Sequence, residues 1–170
     1  MAKDTLQDLI LFYSSKARKM VTFKEYVEGM KKDQKEIYYA CGETISKIDL
    51  MPQVEAMKDK DYEILYLTDA TDEFVLQMMM SYDDKKFMSV ASANLDVESE
   101  EEKKELEKIQ EEKKDLLAGI KDVLKGDVTD VKFTTSLKEH PVCLTTSGNL
   151  SAGMEKVINQ LPNASKVKAN

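Results

Sequence analysis

Three short apolar runs alternate with helical patterns between residues 37 and 90, and this alternation constrains the fold more than any other feature. The apolar runs lie at 37–41, 64–67 and 86–90, and the helical patterns lie at 45–50, 54–58 and 71–80. The run at 64–67 is apolar on both faces, which is typical of a central strand in a parallel sheet. This order predicts a small parallel sheet with helices packed on it and right-handed crossovers.

Two capping boxes mark the beginnings of helices. They are Thr22 with Glu25 and Ser99 with Glu102. In each box both side chains bond to backbone N–H groups that the first helical turn leaves unpaired. The second box begins a long charged helix over 99–125, and Gly126 is placed to end it. The second half of this helix has an apolar face that must dock, although Lys113 interrupts the stripe.

In the last third of the chain, the pattern of apolar residues predicts two strands, at 128–134 and 142–146, and a last helix over 150–161. One stripe of that helix is apolar and consists of Leu150, Met154, Val157, Ile158 and Leu161. Little sequence follows that could cover it. The stripe is therefore either a contact surface or part of a core shared with the two preceding strands, and the sequence leaves both open.

Charge and composition exclude several classes of function. The net charge of −7 opposes nucleic-acid binding, which relies on neutralising phosphates. No run of 18 apolar residues exists to cross a membrane. Cys41 and Cys143 lack metal-ligand spacing and are predicted to be buried free thiols of a reducing cytosol. Glycine-rich nucleotide loops and the G-x-S-x-G motif do not occur, so the sequence predicts no self-contained active site.

Asp69 and Asp72 are the candidates for a chemical site. They follow the central strand, where open α/β sheets place ligands, and a carboxylate pair could hold Mg²⁺. This gives one hypothesis, a small Mg²⁺-dependent α/β enzyme or signalling domain. The alternative, which we favour, is that Asp69, Thr71 and Asp72 cap the next helix. His140 has no orienting carboxylate and is assigned a structural role.

An ordered set of motifs covers nearly the whole chain. The segments lie at 12–16, 25–31, 34–43, 62–69, 72–74, 140–144 and 151–157. The most specific, 62–69, reads Tyr-Glu-Ile-Leu-Tyr-Leu-Thr-Asp. In order and spacing the set resembles the heat-shock protein 90 chaperone family in its bacterial form.

The resemblance implies a fragment that spans the end of that family's middle domain and the start of its C-terminal domain. Residues 1–21 would be the tail of the preceding large middle subdomain. Residues 22–95 would form a small three-layer αβα subdomain with a short parallel sheet. Residues 96–170 would form a truncated α+β C-terminal domain that begins with the long helix. The expected fold class is therefore α/β, or α+β overall.

The family's ATP- and Mg²⁺-binding domain and its dimerisation helices have no counterpart here. The resemblance therefore implies a fragment without cofactor or catalysis, cut from a homodimeric ATPase. It also implies a cytoplasmic protein of the stress response, with no nucleic-acid or membrane partner.

Unfolded or partly folded client proteins are the partners that the resemblance implies. On the middle-domain helix the client-binding residues would be Glu73, Phe74 and Gln77. On the last helix they would be Leu150, Met154, Val157 and Ile158. A further hypothesis makes the chain a structural spacer whose stripe is buried in its own core. The solvent accessibility of Met154 distinguishes this hypothesis from client binding by the stripe.

Overall fold

The computed structural model describes residues 7–32, 34–69, 71–92, 100–124, 126–134, 137, 141–145, 154, 158 and 159. The strands are β1 (Leu11–Ser14), β2 (Met20–Thr22), β3 (Glu36–Cys41), β4 (Leu65–Leu67), β5 (Ser81–Tyr82) and β6 (Lys85–Ser89). The helices are α1 (Phe23–Gly29), α2 (Ile45–Asp49), α3 (Pro52–Asp59), α4 (Asp72–Met79), α5 (Glu100–Glu112) and α6 (Lys114–Val123).

The six strands form one mixed sheet in the order β2-β1-β4-β3-β6-β5. β3 is parallel to both of its neighbours, β4 and β6, which confirms the parallel core that the sequence predicts. The outer pairings are antiparallel, since β1 pairs with β2 and β4, and β5 pairs with β6. Residues 11–14, which the resemblance assigned to the preceding subdomain, therefore lie in the same sheet as the central strands.

Helices cover both faces of this sheet, so two hydrophobic clusters form. One cluster joins α1 and α4 to the sheet through residues such as Phe23, Tyr26 and Leu76. The other joins α2 and α3 through Ile48 and Val54. Successive residues of a strand point to opposite faces, and both β3 and β4 supply apolar side chains to both clusters. This is the physical reason for the continuous apolar run at 64–67.

Local sequence signals account for several helix ends. Thr22 donates its N–H to Glu25 Oε2 at 2.8 Å, and Glu25 donates its N–H to Thr22 Oγ1 at 3.2 Å, which confirms the first capping box. Pro52 opens α3, where a residue without an N–H loses no helical bond. Gly126 follows α6 with φ +96°, a left-handed conformation that glycine adopts without strain.

The region after residue 99 differs from the prediction in two ways. The long helix is divided into α5 and α6 at Lys113, where φ is −110° and the apolar stripe is interrupted. Within residues 126–134 and 141–145 no strand forms, apart from an isolated bridge at Val128. A run of β-forming residues becomes a strand only when another backbone pairs with it, and no such ladder is present in the described part of this region. The capping box at Ser99, His140 and most of the last helix lie outside the described residues.

The helices of the described part are too short or too polar to cross a membrane.

Candidate functional site

Helix α4 follows central strand β4 and presents one side to the sheet and the other to solvent. Glu73, Leu76 and Met79 recur every three residues and are buried. On the outer side Val75 is 39% exposed and Met78 is 79% exposed. The neighbouring Phe74 is half-buried and Gln77 is exposed. The helix therefore has an outer face that is largely apolar, and we call Phe74, Val75, Gln77 and Met78 the α4 outer face.

Glu73 belongs to the inner side, which corrects its predicted place on a binding surface. It is 3% exposed, and its Oε1 accepts a hydrogen bond from the Tyr39 hydroxyl at 3.2 Å. Burial raises the pKa of the Tyr39 hydroxyl and of the Cys41 thiol, and the nearby Glu73 carboxylate raises both further. Three-residue spacing with Leu76 and Met79 explains the result, because it aligns Glu73 with the buried stripe.

Met154 meets α4 through Gln77. The Gln77 Nε2 atom donates to Met154 Sδ at 3.1 Å, between residues 77 positions apart. Met154 is 3% exposed, so the expected open stripe is covered at this residue, as the spacer hypothesis predicts. Ile158 is half-buried, and both residues are helical. Leu150 and Val157 lie outside the described residues.

Val75, Met78 and Met80 are the exposed residues that sequence reasoning missed. Within the run Met78-Met79-Met80, Met79 is buried and the other two side chains are exposed. A signal was available, because residues 71, 75 and 78 fall on one helical face opposite the buried stripe. Met80 ends the helix with φ +68° and is itself exposed.

The carboxylates after β4 shape the start of α4. Asp69 Oδ1 accepts hydrogen bonds from the Thr71 N–H at 2.8 Å and from its hydroxyl at 2.7 Å. The first of these lowers the pKa of Asp69, whereas burial and the charge of Asp69 raise the pKa of Asp72. Thr71 itself makes no side-chain cap bond. In the described part of the chain no three acidic, histidine or cysteine side chains converge as metal ligands. The geometry therefore favours a turn-forming role for Asp69.

Two polar contacts join α3 to the later part of the chain. Lys60, which ends α3, forms a half-buried ion pair with Glu102 of α5 at 3.2 Å. Gln53 Nε2 donates to the Leu144 carbonyl at 3.1 Å.

Helix α6 keeps the apolar face that the sequence predicted. None of its residues is buried, and Leu116, Ile120 and Val123 are exposed. Among the described residues, nothing covers this face.

Cys41 and Cys143 are both free, as predicted, and both are half-buried.

Comparisons with known proteins bear on the whole chain. A sequence model of the family described as Hsp90 protein matches residues 1–169. The chain is 50% identical over 168 residues to the Chaperone protein HtpG of Clostridium botulinum (strain Langeland), covering 99% of this chain and 27% of that protein. It is 52% identical over 167 residues to the Chaperone protein HtpG of Clostridium acetobutylicum, covering 98% and 26%. The corresponding protein of Bacillus velezensis is 48% identical over 167 residues, covering 98% and 27%. The chain thus spans about a quarter of the length of these relatives.

Proposed function

Because the chain belongs to the Hsp90 protein family, we propose that it is part of a molecular chaperone and contributes a surface for unfolded or partly folded client proteins. The observation that carries the proposal is the exposed apolar part of the α4 outer face, Val75 and Met78. Met154 is buried against Gln77, which favours the spacer hypothesis at that position, so we do not propose Met154 as a direct client contact.

The chemistry of the α4 outer face suits such partners. Unfolded chains expose scattered apolar groups of many shapes, so a fixed pocket would select against most of them. Methionine has three rotatable bonds and a polarisable sulfur, which lets it adapt to different partners. Met78 and Val75 supply adaptable apolar area, and Phe74 lies half-buried beside them. We expect affinities of roughly micromolar or weaker, because a client loses conformational entropy on binding.

The other predicted residues have supporting roles in this proposal. Met154 accepts the hydrogen bond that orients Gln77, and Ile158, which is half-buried, remains a proposed contact on the sequence resemblance. Glu73 fixes the inner side of α4 through Tyr39. Leu150 and Val157 remain proposed contacts on the sequence resemblance alone.

We also propose that the chain couples neighbouring domains. The Lys60–Glu102 pair connects the sheet to α5, and its partial burial limits screening by solvent. In the full-length protein we expect ATP and Mg²⁺ to bind, and the homodimer to form, through segments outside this chain. This fragment would then lack catalysis, and its location would be the cytoplasm.

A matched pair of variants tests the client-binding role. Met78→Asp places a charge on the α4 outer face, and Leu50→Asp is its control, because the two side chains are 79% and 77% exposed. Leu50 ends α2, which packs on the opposite face of the sheet. We expect Met78→Asp to weaken binding of a labelled, permanently unfolded protein by about tenfold, since it removes roughly 1.4 kcal/mol of apolar contact. Equal binding by both variants, with unchanged circular dichroism, would show that α4 is not the client surface.

A further inference from the structure

The segment of the chain that contains α4 is acidic. Residues 61–84 contain seven carboxylates and no lysine, arginine or histidine. This is unusual in a chain in which 25 basic residues accompany 32 acidic ones. The apolar outer face therefore lies in the middle of an acidic segment.

The fold places exposed carboxylates at both ends of the helix. Asp69 follows the carboxyl end of β4 and is exposed. Asp83 and Asp84 form the exposed turn between β5 and β6, with φ of +48° and +59°. That turn precedes the amino end of β6, which runs parallel to β3, so it lies at the opposite edge of the sheet from Asp69. An eight-residue helix about 12 Å long separates the two acidic ends.

Asp61, at the start of the segment, is paired with Lys16 at 3.0 Å, and Lys85 directly follows Asp84. Asp69, Asp83 and Asp84 form no ion pair with other residues that the structure describes.

Helix α1, on the same side of the sheet, carries Lys24 together with Glu25 and Glu28. Beyond the turn, Lys86 lies opposite Glu36 in the β3–β6 register. The hydrogen bond from the Thr71 N–H lowers the pKa of Asp69, so that carboxylate stays ionised at neutral pH.

We propose that the α4 outer face selects polypeptide segments in which apolar residues are flanked by lysine or arginine, an inference that rests on the proposed client-binding function. The apolar side chains of the face attract any exposed hydrophobic segment without distinction. The carboxylates at its two ends then favour segments with basic flanks and disfavour segments with acidic flanks. The α4 outer face would then distinguish its partners by the charges that flank their apolar residues rather than by their shape.

Three peptides with one apolar core and flanks of Lys, Ser or Glu test the preference by fluorescence anisotropy. Each exposed ion pair contributes modestly, so we expect the Lys peptide to bind roughly threefold to tenfold more tightly than the Glu peptide. The difference should shrink when ionic strength rises to roughly 1 M, where the screening length is about 3 Å.

Two triple variants locate the effect. Asp69→Asn, Asp83→Asn and Asp84→Asn together remove the acidic ends, and asparagine keeps both the turn bond and the positive φ angles. The control, Asp115→Asn, Asp122→Asn and Asp127→Asn, makes the same change in net charge at exposed positions in or after α6. The first variant should bind the Lys and Glu peptides about equally, and the control should keep the preference.

The inference is overturned if wild type binds all three peptides equally, or if both triple variants lose the preference to the same degree. Failure of the client-binding function is a different result. In that case Met78→Asp binds the Ser peptide as tightly as wild type does.

Discussion

The hydroxyl of Tyr26 organises the buried start of β3 and allows a sharp test of the fold. It donates to the Glu63 carbonyl at 2.7 Å and accepts from the Tyr38 N–H at 3.0 Å and from Gln34 Nε2 at 3.1 Å. The ring is fully buried, and burial raises the pKa of the hydroxyl. One oxygen thus links α1, β3 and the segment that enters β4.

Tyr26→Phe removes that oxygen and keeps the ring. Gln34 retains a partner, since its Nε2 also donates to the Glu36 carbonyl at 2.7 Å. The Tyr38 N–H and the Glu63 carbonyl each lose this hydrogen bond, and a buried hydrogen bond contributes about 0.5–1.5 kcal/mol. Because Glu63 is half-buried and water can reach it in part, we expect a total loss of about 1–2 kcal/mol.

Urea unfolding followed by far-UV circular dichroism measures the loss, since the chain has no tryptophan. Hydrogen exchange at the Tyr38 amide gives a local measurement and should become faster. Tyr82→Phe is the control, because it also removes a hydroxyl from a ring in the same hydrophobic cluster. That hydroxyl donates to exposed Asp8 at 2.6 Å, so water replaces it and the cost should stay below about 0.5 kcal/mol.

The reasoning is refuted if Tyr26→Phe costs no more than Tyr82→Phe. A buried hydroxyl with three partners would then contribute no more than an exposed hydroxyl with one.

Two further changes test other parts of the sheet. Asp49→Asn should cost about 1 kcal/mol, because the neutral amide loses the ion pair with Lys58 at 2.9 Å and weakens the hydrogen bond from the Tyr66 hydroxyl at 2.5 Å. The hydrogen bond from Tyr66 is the main reason why the pKa of Asp49 falls from 3.8 to about 2. In acid-unfolding curves, wild type should therefore keep its full stability advantage over the variant above about pH 4 and lose it toward pH 2. Gly42→Ala should destabilise the fold by about 1–3 kcal/mol in thermal unfolding, since the new Cβ would lie 2.7 Å from Cγ1 of buried Ile48. Gly119→Ala is the control, because no atom lies within 4 Å of the Cβ that it would add. It should raise the helicity of α6, and a loss of helicity would contradict the argument.

Features governed by neighbouring residues were predictable from the sequence. The capping box at Thr22, the role of Pro52 and the conformation of Gly126 each depend on a few adjacent positions. The apolar runs of the three central strands were equally visible, because burial on both faces leaves no polar position in the pattern.

Features that depend on distant pairing were predicted less well. No local pattern indicates that β1 joins the central sheet, since an antiparallel partner leaves no local mark on a four-residue strand. The strands predicted after residue 127 had the right composition and found no partner backbone in the described residues. Lys113 was noted as an interruption, and the structure shows that it divides the helix.

For the candidate site, helical periodicity predicted one amphipathic helix after β4 and another around Met154. Which side chains of α4 meet solvent follows from the packing of the whole fold. This packing turned Glu73 inward and Met78 outward, and it placed Gln77 against Met154 across 77 positions. The physical reason is that helical periodicity fixes which residues share a face. Which face is covered depends on the elements that pack against it, and these come from distant parts of the chain.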